Sequence, residues 1–149
     1  MEAGADPTRP DKYGKTALHA ACERGHVDVV DALLEEQQRF DSRRAGLLRG
    51  DGAKRSPLML AARRDDVPIA SRLLKAGARV DEASRVDGRT ALHVAARFGC
   101  AKVASFLLDR GADACARNKR PRRKSLFRPL LRGHVHVAAA VAATSAGDR

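Results

Sequence analysis

The chain has 149 residues, a formal net charge of +11 and an aromatic content of only 3%. Its length suits a single domain, and the scarcity of aromatic side chains argues against a large ring-lined ligand cavity. No apolar run approaches the ~20 residues that a transmembrane helix needs. The first residues are acidic and lack the apolar middle of a secretory signal. We therefore expect neither a membrane span nor a leader.

The cysteines Cys22, Cys100 and Cys115 are odd in number and irregular in spacing. This pattern predicts reduced thiols rather than a disulfide framework. We therefore expect an intracellular protein that resides in the cytoplasm. The nucleus is the alternative, because the chain ends in a strongly basic segment.

The first ten residues contain two prolines and no apolar period, which predicts a flexible N-terminal lead over residues 1–10. The first structured unit is predicted over residues 11–37. Thr16 is a suitable N-cap, because its hydroxyl can accept a bond from a free N–H of the first turn. Gly25 suits a left-handed helix end. A short helix from Ala17 to Arg24 follows from these signals, and then a second helix with the apolar face Val27, Val30, Leu33 and Leu34.

An insertion rich in arginine and glycine separates the first unit from the next, within residues 38–53. It adds about seven residues to the spacing that the later units keep, which predicts a lengthened surface loop. Insertions of this kind often lie on the binding side of a repeat stack.

Two further copies of the unit are predicted, over residues 51–81 and 85–117. Ser56 and Thr90 are their predicted caps. Gly99 ends the third unit's first helix, whereas Asp65 takes the equivalent position in the second unit, where it tolerates a left-handed backbone better than most residues. The second helices repeat the apolar face with Ile69, Leu73 and Leu74, and with Val103, Leu107 and Leu108.

The C-terminal part, residues 118–149, is predicted to be a basic segment with a degenerate fourth unit, because Pro129 would break its first helix. Its densest charge run, residues 118–124, is open to several interpretations. The run could be a nuclear localisation signal or a solvated tail. It could also be part of a segment, residues 117–132, that binds nucleic acid or an anionic membrane. Nucleic acid is less favoured, because the run lacks stacking aromatic side chains. Ser125 follows the run and is a candidate phosphorylation site.

The three units share one capping and apolar pattern, with starts 40 and then 34 residues apart. The copies are Thr16-Ala17-Leu18-His19-Ala20-Ala21, Ser56-Pro57-Leu58-Met59-Leu60-Ala61-Ala62 and Thr90-Ala91-Leu92-His93-Val94-Ala95-Ala96. With Gly111-Ala112-Asp113 closing the third unit, this pattern resembles the ankyrin-repeat family over about residues 11–117. The resemblance implies an all-α fold: an ankyrin-repeat solenoid of stacked antiparallel helix pairs with hairpin loops.

The resemblance also implies a protein-binding module. In this family the loop tips and the exposed side of each first helix form a concave binding surface. The matching positions are Lys12, Tyr13, Lys15, Glu23, Arg24, Lys54, Arg55, Arg63, Arg64, Asp87, Arg89, Arg97 and Phe98. Basic residues predominate among them, so we expect an acidic protein partner. The chain would act as a monomeric adaptor, scaffold or stoichiometric inhibitor. The alternative is a solvated face in an arginine-rich chain.

Two residues depart from the family pattern, since Met59 replaces a histidine and Lys54 replaces the glycine of a hairpin turn. Candidates for chemistry are weak. His19 and His93 lie beside threonine caps and are explained as structural hydrogen-bonding residues. The run Gly14-Lys15-Thr16 lacks the first glycine and the strand of a phosphate-binding loop. We therefore expect no enzyme activity, no metal site and no cofactor.

Overall fold

The computed structural model describes residues 7–39, 49–53, 55–114 and 116, without the side chains of residues 37–39. Some sequence predictions fall outside these residues. These predictions concern the first six residues of the lead, most of the insertion, Lys54, Cys115, Ser125 and the whole of residues 118–149.

The described residues form six α-helices and no strand. These are α1 (Ala17–Arg24), α2 (Val27–Arg39), α3 (Pro57–Arg63), α4 (Val67–Lys75), α5 (Ala91–Phe98) and α6 (Ala101–Asp109). Each unit contributes one pair, so the predicted all-α repeat fold is confirmed. The helix predicted from Ala17 to Arg24 has those bounds. Helix α2 extends through residues 38–39.

The helices stack in two rows. The first-helix row is α1, α3 and α5, and the second-helix row is α2, α4 and α6; neighbours pack along each row and within each pair. Leu18, Leu58 and Leu92 occupy the same position in successive first helices, and their exposed fractions are 0%, 2% and 6%. Burying a leucine contributes roughly 1.5–3 kcal/mol. The repeated leucine therefore forms a continuous core along the stack.

The helix ends follow the capping signals of the sequence. Gly25 and Gly99 end α1 and α5 with φ angles of 78° and 69°, in the left-handed region that glycine adopts without steric cost. Asp65 takes the same region with a φ of 60°. Its carboxylate Oδ1 accepts a hydrogen bond of 2.8 Å from the backbone N–H of Val103, near the start of α6. This aspartate thus caps a helix of the next unit.

Histidine and threonine link the first helix to its hairpin in the first and third units. The backbone N–H of Thr16 donates to Nδ1 of His19 over 3.2 Å, and Thr90 and His93 repeat this bond at the same length. Nε2 of His19 lies 3.2 Å from the backbone oxygen of Arg55, in the hairpin of the second unit. The first histidine therefore joins two units. The second unit has Met59 at this position, buried to 2% exposure.

The second-helix row has a cross-unit ion pair between Asp31 of α2 and Arg72 of α4. Both side chains are more than a third exposed, so the pair contributes at most about 1 kcal/mol. Among the described helices, none is both long and apolar enough to cross a lipid bilayer.

Candidate functional site

The hairpin loops position the first group of predicted site residues. The backbone N–H of Asp11 donates to Lys15 O over 2.8 Å, and Asp51 donates to Arg55 O over 2.9 Å. In both loops the aspartate carboxylate also accepts a 2.9 Å bond from the backbone N–H of the residue four positions later. The second hairpin therefore closes as the first does, although it has lysine where the family has glycine. The third closes from Ser84 to Arg89, which makes it one residue longer.

The first two hairpins touch through their backbones. The N–H of Gly52 donates to Tyr13 O over 2.9 Å. A Cβ atom added at Gly52 would lie 2.1 Å from that oxygen, so only glycine permits the approach. An open depression of about 710 Å³ lies between the two loops, and its lining includes Lys12, Tyr13 and Arg55. Nζ of Lys12 lies 4.9 Å from the Tyr13 ring centre, and this ring is 63% exposed.

Each described cation at the base of a hairpin has a carboxylate partner within its own unit. Lys15 Nζ lies 2.6 Å from Glu23 Oε2. Arg55 binds Asp51 through Nη2 at 2.8 Å and through Nε at 3.1 Å. Arg89 Nε lies 3.1 Å from Asp87 Oδ2. The three loop cations are Lys15, Arg55 and Arg89, and all are only partly exposed. Their charges are therefore largely balanced within the protein.

Asp51 is the site residue that the sequence analysis missed. Its side chain is 1% exposed. Burial alone would raise the pKa of Asp51, but the backbone N–H and guanidinium of Arg55 outweigh burial and hold that pKa below its ordinary value. The signal in the sequence was an aspartate at the first hairpin position, four residues before an arginine. In the first unit, the hydrogen bond from Lys15 similarly lowers the pKa of Glu23.

The second group of predicted residues lies on the first-helix row, and it differs in its charge partners. Arg24, Arg63, Arg64 and Arg97 are exposed, and none of them has an ion pair within the described part of the chain. The guanidinium carbons of Arg63 and Arg97 lie 5.5 Å and 5.9 Å from the centre of the Phe98 ring. Phe98 is 53% exposed. We call Arg63, Arg97 and Phe98 the Arg–Phe cluster.

Arg64 extends from the second unit back over the end of α1. Its Nη1 donates to the backbone oxygen of Glu23 over 3.3 Å, and its guanidinium lies where a side chain on Gly25 would have to go. A second depression, of about 340 Å³, is lined by Glu23, Leu60, Arg63 and Arg64. Leu60 is only 2% exposed and supplies the apolar part of this depression.

The buried histidine and cysteines are engaged in packing rather than in a reactive site. Burial lowers the pKa of His19 despite the opposing charge of Asp51, so the ring is neutral at neutral pH. Burial raises the pKa of the Cys22 thiol to about 12, and that of Cys100 is raised for the same reason. Both cysteines are free thiols. Within the residues described, no cluster of three or more His, Cys, Asp or Glu side chains is placed to hold a metal ion.

The sequence and the geometry together define the class of protein as a short helical solenoid with exposed loops and an arginine-rich helix row. A family model described as ankyrin repeats (3 copies) matches residues 1–44 and 44–118. The chain belongs to the ankyrin-repeat family. Repeats of this family generally mediate protein–protein interaction, and the family is typically non-catalytic.

Similar proteins come from distant organisms. The chain is 31% identical to ankyrin repeat protein nuc-2 of Neurospora crassa over 116 residues, covering 78% of this chain and 10% of the relative. It is 32% identical to human ankyrin repeat domain-containing protein 63, covering 88% of this chain and 39% of the relative. It is 36% identical to the probable E3 ubiquitin-protein ligase XBOS31 of Oryza sativa subsp. japonica, covering 74% and 24%. The chain therefore spans only a minor part of each of these curated relatives.

Proposed function

We propose that the chain binds an acidic segment of another protein through the hairpin loops and the exposed side of the first-helix row. The observation that carries this proposal is the set of exposed arginines on that row, which have no ion pair within the described residues. Surface cations of one sign attract an oppositely charged partner and speed its association. The chain would act as an adaptor, a scaffold or a stoichiometric inhibitor.

Several further properties belong to this proposal. The chain is non-enzymatic, needs no cofactor and acts as a monomer, with residues 11–117 as its binding part. It works in the cytoplasm or the nucleus. The buried free thiols of Cys22 and Cys100 support a reducing compartment. The neutral ring of His19 supports a structural rather than a catalytic role, because both of its nitrogens have partners in the fold.

Affinity capture with the full-length chain tests this proposal. The binding variant is Arg63→Glu with Arg97→Glu, and the tail variant neutralises Arg122, Arg123 and Lys124 by substitution with glutamine. We expect the binding variant to lose the proteins that the wild type captures, and the tail variant to keep them. Circular dichroism must show unchanged helix content in both.

The tail variant also tests the alternative function, attachment of residues 117–132 to nucleic acid or an anionic membrane. Binding to a DNA oligonucleotide and to phosphatidylserine vesicles is measured at low and high salt. If all capture disappears with the tail charges and falls steeply with salt, the binding surface is the tail and the proposal fails.

A further inference from the structure

The cations of the proposed binding surface differ in their partners. Lys15, Arg55 and Arg89 are partly exposed, and each is held by a carboxylate of its own unit at 2.6–3.1 Å. Arg63 and Arg97 are exposed, form no ion pair among the described residues and lie over an aromatic ring. The hydrogen bond from Lys15 is the main cause that lowers the pKa of Glu23, and the charge of Arg63 makes a small further contribution. A partner that displaced a loop cation from its carboxylate would leave that carboxylate unpaired. Recognition of an acidic partner therefore costs less at the Arg–Phe cluster than at these three loop cations.

The Arg–Phe cluster joins two units. Arg63 is the last residue of α3, while Arg97 and Phe98 are the last two residues of α5. Two guanidinium groups thus lie against one ring, at 5.5 Å and 5.9 Å from its centre. Contact with the ring restricts the arginine rotamers, so less conformational entropy is lost when a ligand binds. The stacking of the two helices builds a pre-organised pair of cations.

The chemistry of the cluster favours carboxylates beside an apolar group. A guanidinium presents paired N–H donors that match the two oxygens of a carboxylate. The side chains of Arg63 and Arg97 donate no hydrogen bond within the described residues, so these N–H donors are available to a ligand. The half-exposed ring of Phe98 offers an apolar contact next to both cations.

A second feature extends the same surface. Arg63 also lines the depression of about 340 Å³ that contains Leu60, Arg64 and Glu23. Leu60 is the apolar residue of its lining, and both arginines line it as well. Arg63 therefore belongs both to this depression and to the Arg–Phe cluster, which makes one continuous surface from the end of α1 to the end of α5.

We infer that this continuous surface is the main contact of the chain and that it takes an acidic peptide segment containing an apolar residue beside aspartate or glutamate. The inference rests on the proposed function and assigns the contact with the acidic partner to this surface. The carboxylates bind Arg63 and Arg97, and the apolar side chain packs on Phe98. The loop cations contribute little, because their charges are already balanced.

Fluorescence polarisation with labelled synthetic peptides tests this inference on the full-length chain. The probe is a short peptide of Glu, Asp and Leu, and its isostere replaces Glu with Gln and Asp with Asn. We expect binding of the acidic peptide only. Arg63→Gln, Arg97→Gln and Phe98→Ala each weaken it by about tenfold, the effect typical of a central interface residue. The matched control is Lys75→Gln with Lys102→Gln, which removes two exposed charges from the second-helix row and leaves binding within about twofold.

Several results would overturn the inference. One is equal weakening by the control, which would indicate a diffuse charge effect. Another is equal binding of the isostere, which would show that carboxylates are not recognised. A third is full displacement of the bound peptide by a DNA oligonucleotide. If the acidic peptide fails to bind while the wild type still captures proteins that the Arg63→Glu, Arg97→Glu variant loses, the inference fails but the proposed function stands. If capture is also unaffected by that variant, both fail.

Discussion

At the scale of single residues, His19 illustrates how one side chain can connect two units. Nδ1 accepts the backbone N–H of Thr16, and the Thr16 hydroxyl lies 2.8 Å from the same nitrogen. Nε2 faces the backbone oxygen of Arg55. These partners require a neutral ring that carries its proton on Nε2. A proton on Nδ1 would remove an acceptor that serves two donors.

This requirement predicts a dependence of stability on pH. The folded pKa of His19 is lowered from an ordinary value of 6.5, mainly by burial and to a small extent by the charge of Arg55. The carboxylate of Asp51 and hydrogen bonds to the backbones of Arg55 and Arg49 oppose the shift. Below about pH 6.5 the unfolded chain binds a proton that the folded chain does not. The free energy of unfolding should therefore decrease as the pH falls through this range. Urea unfolding at about pH 7.5 and about pH 5.5 measures the change.

The matched variants are His19→Met, which copies the residue that the second unit uses at this position, and His26→Gln, which removes an exposed histidine. His19→Met should lower stability by about 1–2 kcal/mol at neutral pH, because it leaves a buried N–H of Thr16 without its acceptor. It should also reduce the loss of stability at acidic pH, whereas His26→Gln should not. An unchanged pH dependence in His19→Met would show that other groups cause it.

At the scale of helices and loops, the sequence predicts what local chemistry determines. The bounds of α1 follow from Thr16, directly before the helix, and Gly25, directly after it. The carboxylate partners of the loop cations cannot be predicted from neighbouring residues in this way. Lys15 and Glu23 are eight residues apart and meet only when a hairpin folds against its helix. The Arg–Phe cluster needs two units in register, so its pairing was not predictable from either unit alone.

Asp65 provides a prediction at this scale, because it caps α6 from the neighbouring unit. Asp65→Ala removes the 2.8 Å bond to Val103 N–H and also places alanine at a φ of 60°. We expect a loss of about 2 kcal/mol, which combines a lost cap with left-handed strain. Asp65→Asn keeps an acceptor oxygen and tolerates the backbone, so it should lose less than half as much. Denaturant unfolding gives both values.

A third variant separates the two causes. Asp65→Gly relieves the backbone strain but has no carboxylate, so its stability should lie between those of Asp65→Ala and Asp65→Asn. If the glycine variant is more stable than the wild type, relief of the left-handed backbone outweighs the bond to Val103 and the expected order is wrong.

At the scale of the whole molecule, stability depends on contacts between successive units. Both pairs of neighbouring units are joined by a hydrogen bond. His19 bonds to the Arg55 oxygen between the first and second units, and the Val103 N–H donates to Asp65 between the second and third. A repeat stack has no single central core, so each unit depends on its neighbours. Because the binding surface proposed above spans α3 and α5, it exists only while those units remain stacked.

The middle unit should therefore control both folding and binding. Leu58 is 2% exposed on α3, which packs against the first helices on both sides. Leu58→Ala should lower stability by about 2–5 kcal/mol, as expected for a buried leucine. Leu74→Ala, at a partly buried position of α4, is the matched control and should cost less.

Because a small stack unfolds cooperatively, Leu58→Ala should also weaken acidic-peptide binding at temperatures where the variant is partly unfolded. Thermal unfolding followed by circular dichroism, with peptide binding measured in parallel, checks the prediction. Peptide binding that persists after the helical signal is lost would contradict it and would place the contact outside the stack.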